Sequence, residues 1–166
     1  VCQGYAYAAH LMLELAGIDS QIVIGTADGI SHAWNIVKIE QEYYILDVTW
    51  DDPVPDEKGR LIYSYFNVTD KELMKDHIWD NSKWPSATAT TYNYYNYKGL
   101  AVHSYEELKT KIFSAVAARQ TGLTLKLDYE GASMSDLAGI MSLNPQLSGY
   151  AYSYNDLTFS MELYYR

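Results

Sequence analysis

The one cysteine of the chain, Cys2, stands directly ahead of an Ala- and Leu-rich segment; His32 opens an alternating segment, and Asp47 closes the next one. Together these residue types can carry nucleophilic acyl chemistry. A thiol attacks only as the thiolate, and a helix N-terminus stabilises that negative charge. An imidazole within hydrogen-bond reach takes the thiol proton and later returns it to the leaving group, while a carboxylate fixes the imidazole tautomer. The expected chemistry of Cys2, His32 and Asp47 is therefore attack on an amide carbonyl through a Cys2 thioester. Water as acceptor makes this a peptidase or amidase, and an amine makes it a cross-linking transferase. The same three residues serve both; hydrolysis is favoured because water is always available and no amine site is visible.

Other polar residues lack such a pattern. His10, His77 and His103 have no partner motif and read as packing or surface residues, His10 on a helix face. Asp51, Asp52, Asp56 and Glu57 lack the alternating ligand positions, central Gly and closing Glu of a calcium loop and read as a solvated acidic loop. Asn67-Val68-Thr69 fits the glycosylation triplet, which is common by chance. No metal and no cofactor is expected. Trp34 and Trp50 flank the His and the Asp and are candidates to line a substrate groove, although strand aromatics also simply pack.

Positioning the three residues takes a helix and two strands. Gly4 to Ala16 predicts a helix, apolar on nearly every side and so expected inside, ending at Gly17 in a left-handed cap. Gln21 to Gly25 is a β-branched run, and Thr26 to Ser31 reads as a turn or loop around Asp28-Gly29. His32 to Ile39 alternates, with His32, Trp34, Ile36 and Lys38 on one face, and Tyr43 to Thr49 alternates too. If Glu40-Gln41 is a two-residue hairpin loop, Ile39 faces Glu42, Trp34 faces Asp47 and His32 faces Thr49, so His32 and Asp47 share a face. A three-residue loop would set them on opposite faces.

Further on, Asp51 to Arg60 is a polar loop and Ile62 to Val68 an aromatic strand-like run. Thr69 and Glu72 have capping-box spacing ahead of a short helix from Asp70 to about His77. The stretch around Trp84-Pro85 shows no period and marks a boundary. Beyond it come a helix over Tyr105 to Arg119 with an apolar stripe, an alternating strand at Leu123 to Leu127, a second helix from Ser133 to Leu143, and a hairpin. That hairpin turns at Asn155-Asp156, with Tyr150, Tyr152 and Tyr154 on one face. Two regions are expected, 1–87 and 88–166, the second an α/β extension of unknown role.

Composition limits the function. A net charge of −9 and a pI near 4.7 oppose nucleic-acid binding, which depends on clustered Lys and Arg. No apolar stretch reaches the roughly 20 residues of a membrane span. Seventeen Tyr against three Phe supply rings with a polar tip, suited to half-exposed surfaces. A non-catalytic module using Tyr-rich faces for glycan or protein contacts is therefore the second functional reading.

Three sequence words carry a resemblance: Val1-Cys2-Gln3-Gly4-Tyr5-Ala6, His32-Ala33-Trp34-Asn35-Ile36-Val37 and Leu46-Asp47-Val48-Thr49-Trp50-Asp51. In this order and spacing they resemble the transglutaminase-like superfamily of papain-like cysteine enzymes, in its bacterial branch, over roughly residues 1–85. The resemblance implies an α+β fold with a buried Cys-bearing helix against an antiparallel sheet carrying His and Asp. It also implies Cys2 as nucleophile, His32 as general base and acid, Asp47 as its orienter, a protein or peptide substrate and an extracellular or cell-surface setting. The family's segment ahead of the nucleophile is expected upstream of Val1, which leaves the backbone N–H of Cys2 as the one oxyanion donor that can be named.

Overall fold

The computed structural model describes residues 1–52, 55, 62–155 and 158–166 and is of mixed α+β build. It divides into two compact units, Val1–Tyr94 and Tyr95–Arg166, each with its own sheet. Residues 88–94 belong with the first unit: Ala89 and Tyr92 pack beside Val37, Tyr44 and Leu46, and the Asn67 amide donates to the Tyr92 carbonyl.

In the first unit, α1 (Cys2–Leu15) is followed by β1 (Asp19–Ala27), β2 (Ile30–Ile39), β3 (Glu42–Leu46), α2 (Val48–Asp51), β4 (Phe66–Val68), α3 (Asp70–Leu73) and β5 (His77–Ile78). The strands lie in the order β4-β3-β2-β1-β5, every pair antiparallel. Helix α1 starts at Cys2 itself, with Val1 as its cap, so the thiol belongs to the first turn. It ends at Gly17 (φ 75°), where the Gly17 N–H bonds to the Glu14 carbonyl and the Ile18 N–H to the Leu13 carbonyl. The apolar surface of α1 is not buried all round. Ala6 alone is buried, while Tyr7, Leu11, Met12 and Leu15 are exposed, because the single sheet layer against the helix covers one face. On that face the Asn35 amide donates to the Ala6 carbonyl, and Leu13 packs on Val37, Tyr44 and Leu46.

Both hairpins are tight. Asp28 (φ 48°) and Gly29 (φ 76°) make a two-residue turn whose twist matches the strands, so β1 and β2 run through the segment expected as loop and pair as far as Ala27 and Ile30. Glu40 (φ 57°) takes the left-handed position of the second turn, and Ile39 pairs with Glu42. The two-residue alternative is the observed one. The ladder stops, however, at Asn35 and Leu46: Asp47 leaves the sheet to cap α2, which contains Thr49, so Thr49 does not face His32.

The strand expected over Ile62 to Val68 is confined to β4, where Asn67 (φ 54°) and a register shift at Ile45 and Leu46 break the ladder. The Thr69–Glu72 capping box forms, but its helix ends at Leu73, and His77 sits instead in β5, paired with Ala27. One sheet face carries the cluster Val23, Trp34, Ile36, Ile45, Val68, Leu73 and Ala87. Burying a large apolar side chain of this kind contributes about 1.5–3 kcal/mol.

After the boundary helix α4 (Tyr94–Tyr97), the second unit runs β6 (Ala101–Val102), α5 (Tyr105–Ala117), β7 (Gly122–Leu127), α6 (Met134–Ser142), β8 (Leu147–Asn155) and β9 (Thr158–Tyr165). Its sheet is ordered β6-β7-β9-β8, and β6-β7 is its parallel pair. The expected stripe Leu108, Ile112, Ala115 and Val116 packs with Leu137, Ile140, Leu125, Phe159 and Met161. Helix, strand, helix and hairpin occur in the expected order; the turn residue Asp156 lies outside the described residues.

Gly25 pairs with His32 across β1 and β2, and a Cβ added to it would collide with the Ile78 carbonyl oxygen and come within 2.7 Å of the Trp34 ring. The backbone of β5 thus docks because residue 25 has no side chain. Gly25→Ala is expected to cost about 1–3 kcal/mol, the usual cost of overpacking. Urea unfolding measures it as a lower midpoint at unchanged slope.

Candidate functional site

Asp47 organises the site because it ends one element and starts another. As N-cap of α2 its Oδ1 accepts the Thr49 N–H at 3.0 Å and the Trp50 N–H at 3.2 Å. Its Oδ2 accepts from His32 Nε2 at 2.6 Å and from His77 Nε2 at 3.0 Å. Asp47 is 0% exposed, and a carboxylate so buried stays ionised only when donors replace its water.

The expected pair of His32 and Asp47 therefore forms. Since an ionised carboxylate only accepts, His32 Nε2 carries hydrogen, and in the neutral ring Nδ1 is left as a base. Cys2 is the free cysteine, half-buried at the first position of α1, and its thiol makes no hydrogen bond among the described residues. The first turn of α1 is tied to this region by a bond from the Tyr5 hydroxyl to the Asp52 carboxylate.

His77, which the sequence assigned no role, faces Asp47 from β5. Its Nδ1 lies 2.5 Å from Asp76 Oδ1, and the Tyr65 hydroxyl donates to Asp76 Oδ2 at 2.8 Å. Burial works to lower the His77 pKa, but the hydrogen bonds and charges of Asp47 and Asp76 outweigh it, and the pKa is raised above the ordinary histidine value. No sequence word announces this residue; the dipeptide Asp76-His77 is the sole local sign.

Asp51 is not part of a solvated loop. Burial pushes its carboxyl from 3.8 up to about 8, with the Tyr65 and Ser64 N–H groups opposing and the Asp47 charge adding to the rise. Oδ1 accepts the Tyr65 N–H at 2.9 Å, and Oδ2 is buried without a hydrogen-bond partner among the described residues. At neutral pH Asp51 is thus a protonated acid. Asp56 and Glu57 lie outside the described residues.

Trp34 is 1% exposed and lines no groove; its indole fills the core under His32, with ring centres 5.9 Å apart. Alternation on β2 put it on the His32 face, but that face is the interior. Trp50 is partly exposed and closes over the imidazoles, 6.0 Å from the His32 ring and 4.6 Å from His77. His10 tethers α1 to β1 through Ser20 at 2.7 Å, and His103 lies at the surface, 3.3 Å from Asp128.

The nitrogens of His32 and His77 and the oxygen of Asp47 lie within 4.8 Å of one another, close enough to ask whether they hold a metal. Their 2.6 and 3.0 Å spacings are those of hydrogen bonds. Ligand atoms around a tetrahedral zinc sit about 3.3 Å apart, so the arrangement fits a hydrogen-bonded relay better than a coordination shell. Among the described residues, no helix is long and apolar enough to cross a membrane.

No protein-family model matches the chain. Kyphoscoliosis peptidase of Homo sapiens is 30% identical over 100 residues, which cover 50% of this chain and 15% of the human protein. The protein of the same name from Mus musculus is 29% identical over 100 residues, with the same coverage. The match thus reaches about 15% of the length of these relatives and is a distant likeness to a named peptidase.

The Asp51 carboxyl has a signed consequence for stability. Because its folded pKa is raised, the stability it contributes is present below about pH 4 and is lost as pH rises toward about 8. Asp51→Asn keeps the acceptor for the Tyr65 N–H and cannot ionise. Unfolding free energies from urea titrations at pH 5 and pH 8 are expected to fall less for Asp51→Asn than for the wild type, making the variant the more stable of the two at pH 8.

Proposed function

We propose that the first unit is a thiol-dependent acyl-transfer enzyme with a papain-like, transglutaminase-like site made of Cys2, His32 and Asp47, acting on protein or peptide amides. The observation that carries it is the His32–Asp47 bond, which engages Nε2 and leaves Nδ1 clear of that carboxylate, in the unit whose first helix begins at Cys2. The likeness to proteins named peptidases supports the same reading.

In the proposed reaction, the Cys2 thiol gives its proton to His32 Nδ1 and the sulfur attacks the amide carbonyl carbon. The tetrahedral oxyanion accepts a hydrogen bond from the Cys2 N–H at the positive end of α1. His32 then gives its proton to the departing amine, the C–N bond breaks, and a Cys2 thioester remains. Water activated by the same imidazole hydrolyses the thioester and frees the thiol. An amine in place of water yields a new amide, the transferase alternative. Asp47 holds the ring and stabilises its cation without itself taking the proton.

Iodoacetamide labelling against pH, followed by mass spectrometry at Cys2, tests the thiol directly. The wild type is expected to react below the pH range of an ordinary thiol, whose pKa is about 8.5, and His32→Ala to move the profile upward. Asp47→Asn should spare the thiol more but lower kcat/KM on a peptide library by roughly 10²–10⁴-fold. Incubating that library with and without amine donors separates hydrolysis from transfer. An ordinary thiol profile that His32→Ala leaves unchanged would remove the enzyme reading in favour of a non-catalytic binding module.

A further inference from the structure

Both ring nitrogens of His77 face carboxylate oxygens, Nδ1 toward Asp76 at 2.5 Å and Nε2 toward Asp47 at 3.0 Å. Ionised carboxylates only accept hydrogen bonds, so a neutral ring would turn a lone pair on one of its nitrogens toward an oxygen lone pair. The arrangement is satisfied when the ring carries both protons. His77 is fully buried, and the rings of Trp50, Trp34 and Tyr65 lie 4.6, 5.1 and 5.8 Å from it, so its charge acts through little water.

We propose that His77 is a positioning residue for the His32–Asp47 pair, held as an imidazolium between Asp47 and Asp76 so that the carboxylate His32 faces is already neutralised. The proposal rests on the thiol-site reading above. Its chemical sense lies in the proton's second journey. A lone buried Asp47 would bind the His32 cation so firmly that His32 would become a poor acid toward the leaving amine. The positive charge of His77, whose ring centre is 5.4 Å from that of His32, offsets this hold while its N–H keeps the carboxylate oriented. Among the described residues, the titratable groups around the two rings are Asp47 at the cap of α2, Asp51 at its end, Asp76 ahead of β5, and Tyr65 bonded to Asp76. Asp51, being protonated, adds no charge at neutral pH.

Nitrogen-15 NMR of the imidazoles against pH tests this in the wild-type chain. Both His77 nitrogens are expected to remain protonated through neutral pH. In His77→Gln, which keeps an N–H donor but loses the charge, the His32 midpoint should rise by about one pKa unit or more, as removal of a nearby buried charge implies. Asp76→Asn should lower the His77 midpoint by a similar amount. A packing role alone predicts a folded His77→Gln chain with the His32 midpoint unmoved, and that result, or a wild-type His77 with one bare ring nitrogen at neutral pH, overturns the proposal. If His77→Gln does not fold, the wild-type spectrum and Asp76→Asn still decide. The titrations need no thiol and can be run in Cys2→Ala. An inert Cys2 with the His77 and His32 titrations as expected would overturn the thiol-site reading alone, whereas a reactive Cys2 with an unmoved His32 midpoint would overturn the role given to His77 alone.

Discussion

A carboxylate with no exposure to water holds its charge only when donors fill its lone pairs, and Asp47 has two on each oxygen. Each donor fixes a piece of the fold. The two backbone N–H groups require the chain to leave β3 and begin α2 at Asp47. The His32 donor requires the register set by the Glu40-Gln41 turn, and the His77 donor requires β5 to join the sheet edge beside β1. That docking depends in turn on the missing side chain at Gly25. Loss of one donor would leave a buried charge partly unpaired, a cost of several kcal/mol against a total stability of about 5–15 kcal/mol.

The same burial sorts the surrounding acids by charge. Asp47 and Asp51 are close enough for the charge of the first to raise the pKa of the second, and two desolvated anions side by side are unfavourable. The side-chain donors go to Asp47; Asp51, which is opposed only by the Tyr65 and Ser64 N–H groups and has an oxygen without a hydrogen-bond partner among the described residues, keeps its proton. Asp76, at the edge of the cluster, receives both Tyr65 and His77. A chain of net charge −9 thus limits the negative charge beside its imidazoles by keeping Asp51 protonated.

Local pattern made much of this legible. Alternation located β2 and β3, and the two-residue turn set the register that leaves Asp47, one residue past the end of β3, within hydrogen-bond reach of His32. The Thr69–Glu72 box and the Leu108–Ile112 stripe likewise appear where short-range spacing put them. What the pattern could not carry was long-range. His77 acquires its role by pairing with Ala27, far away in sequence, and nothing within a few residues of it encodes that meeting. Trp34 looked available for substrate because alternation tells which residues share a face, not which face is covered. The apolar circumference of α1 suggested burial on all sides, yet the number of layers around a helix is a property of the assembled unit.

The placement of both imidazoles on strands also bears on mechanism. A histidine on a loop can turn to suit its partner, and its pairing with a carboxylate then costs ordering entropy at each encounter. His32 lies in the interior of the first sheet and His77 on its edge strand, both buried among Trp34, Trp50 and Tyr65, so their rotamers are set by packing. Such preorganisation is effective where charge develops during reaction, because the dipoles need not rearrange. It also means that the site cannot adapt when one member is lost. With Asp47 held from four directions, a change at the rear of the cluster reaches His32 as an altered field rather than a shifted ring.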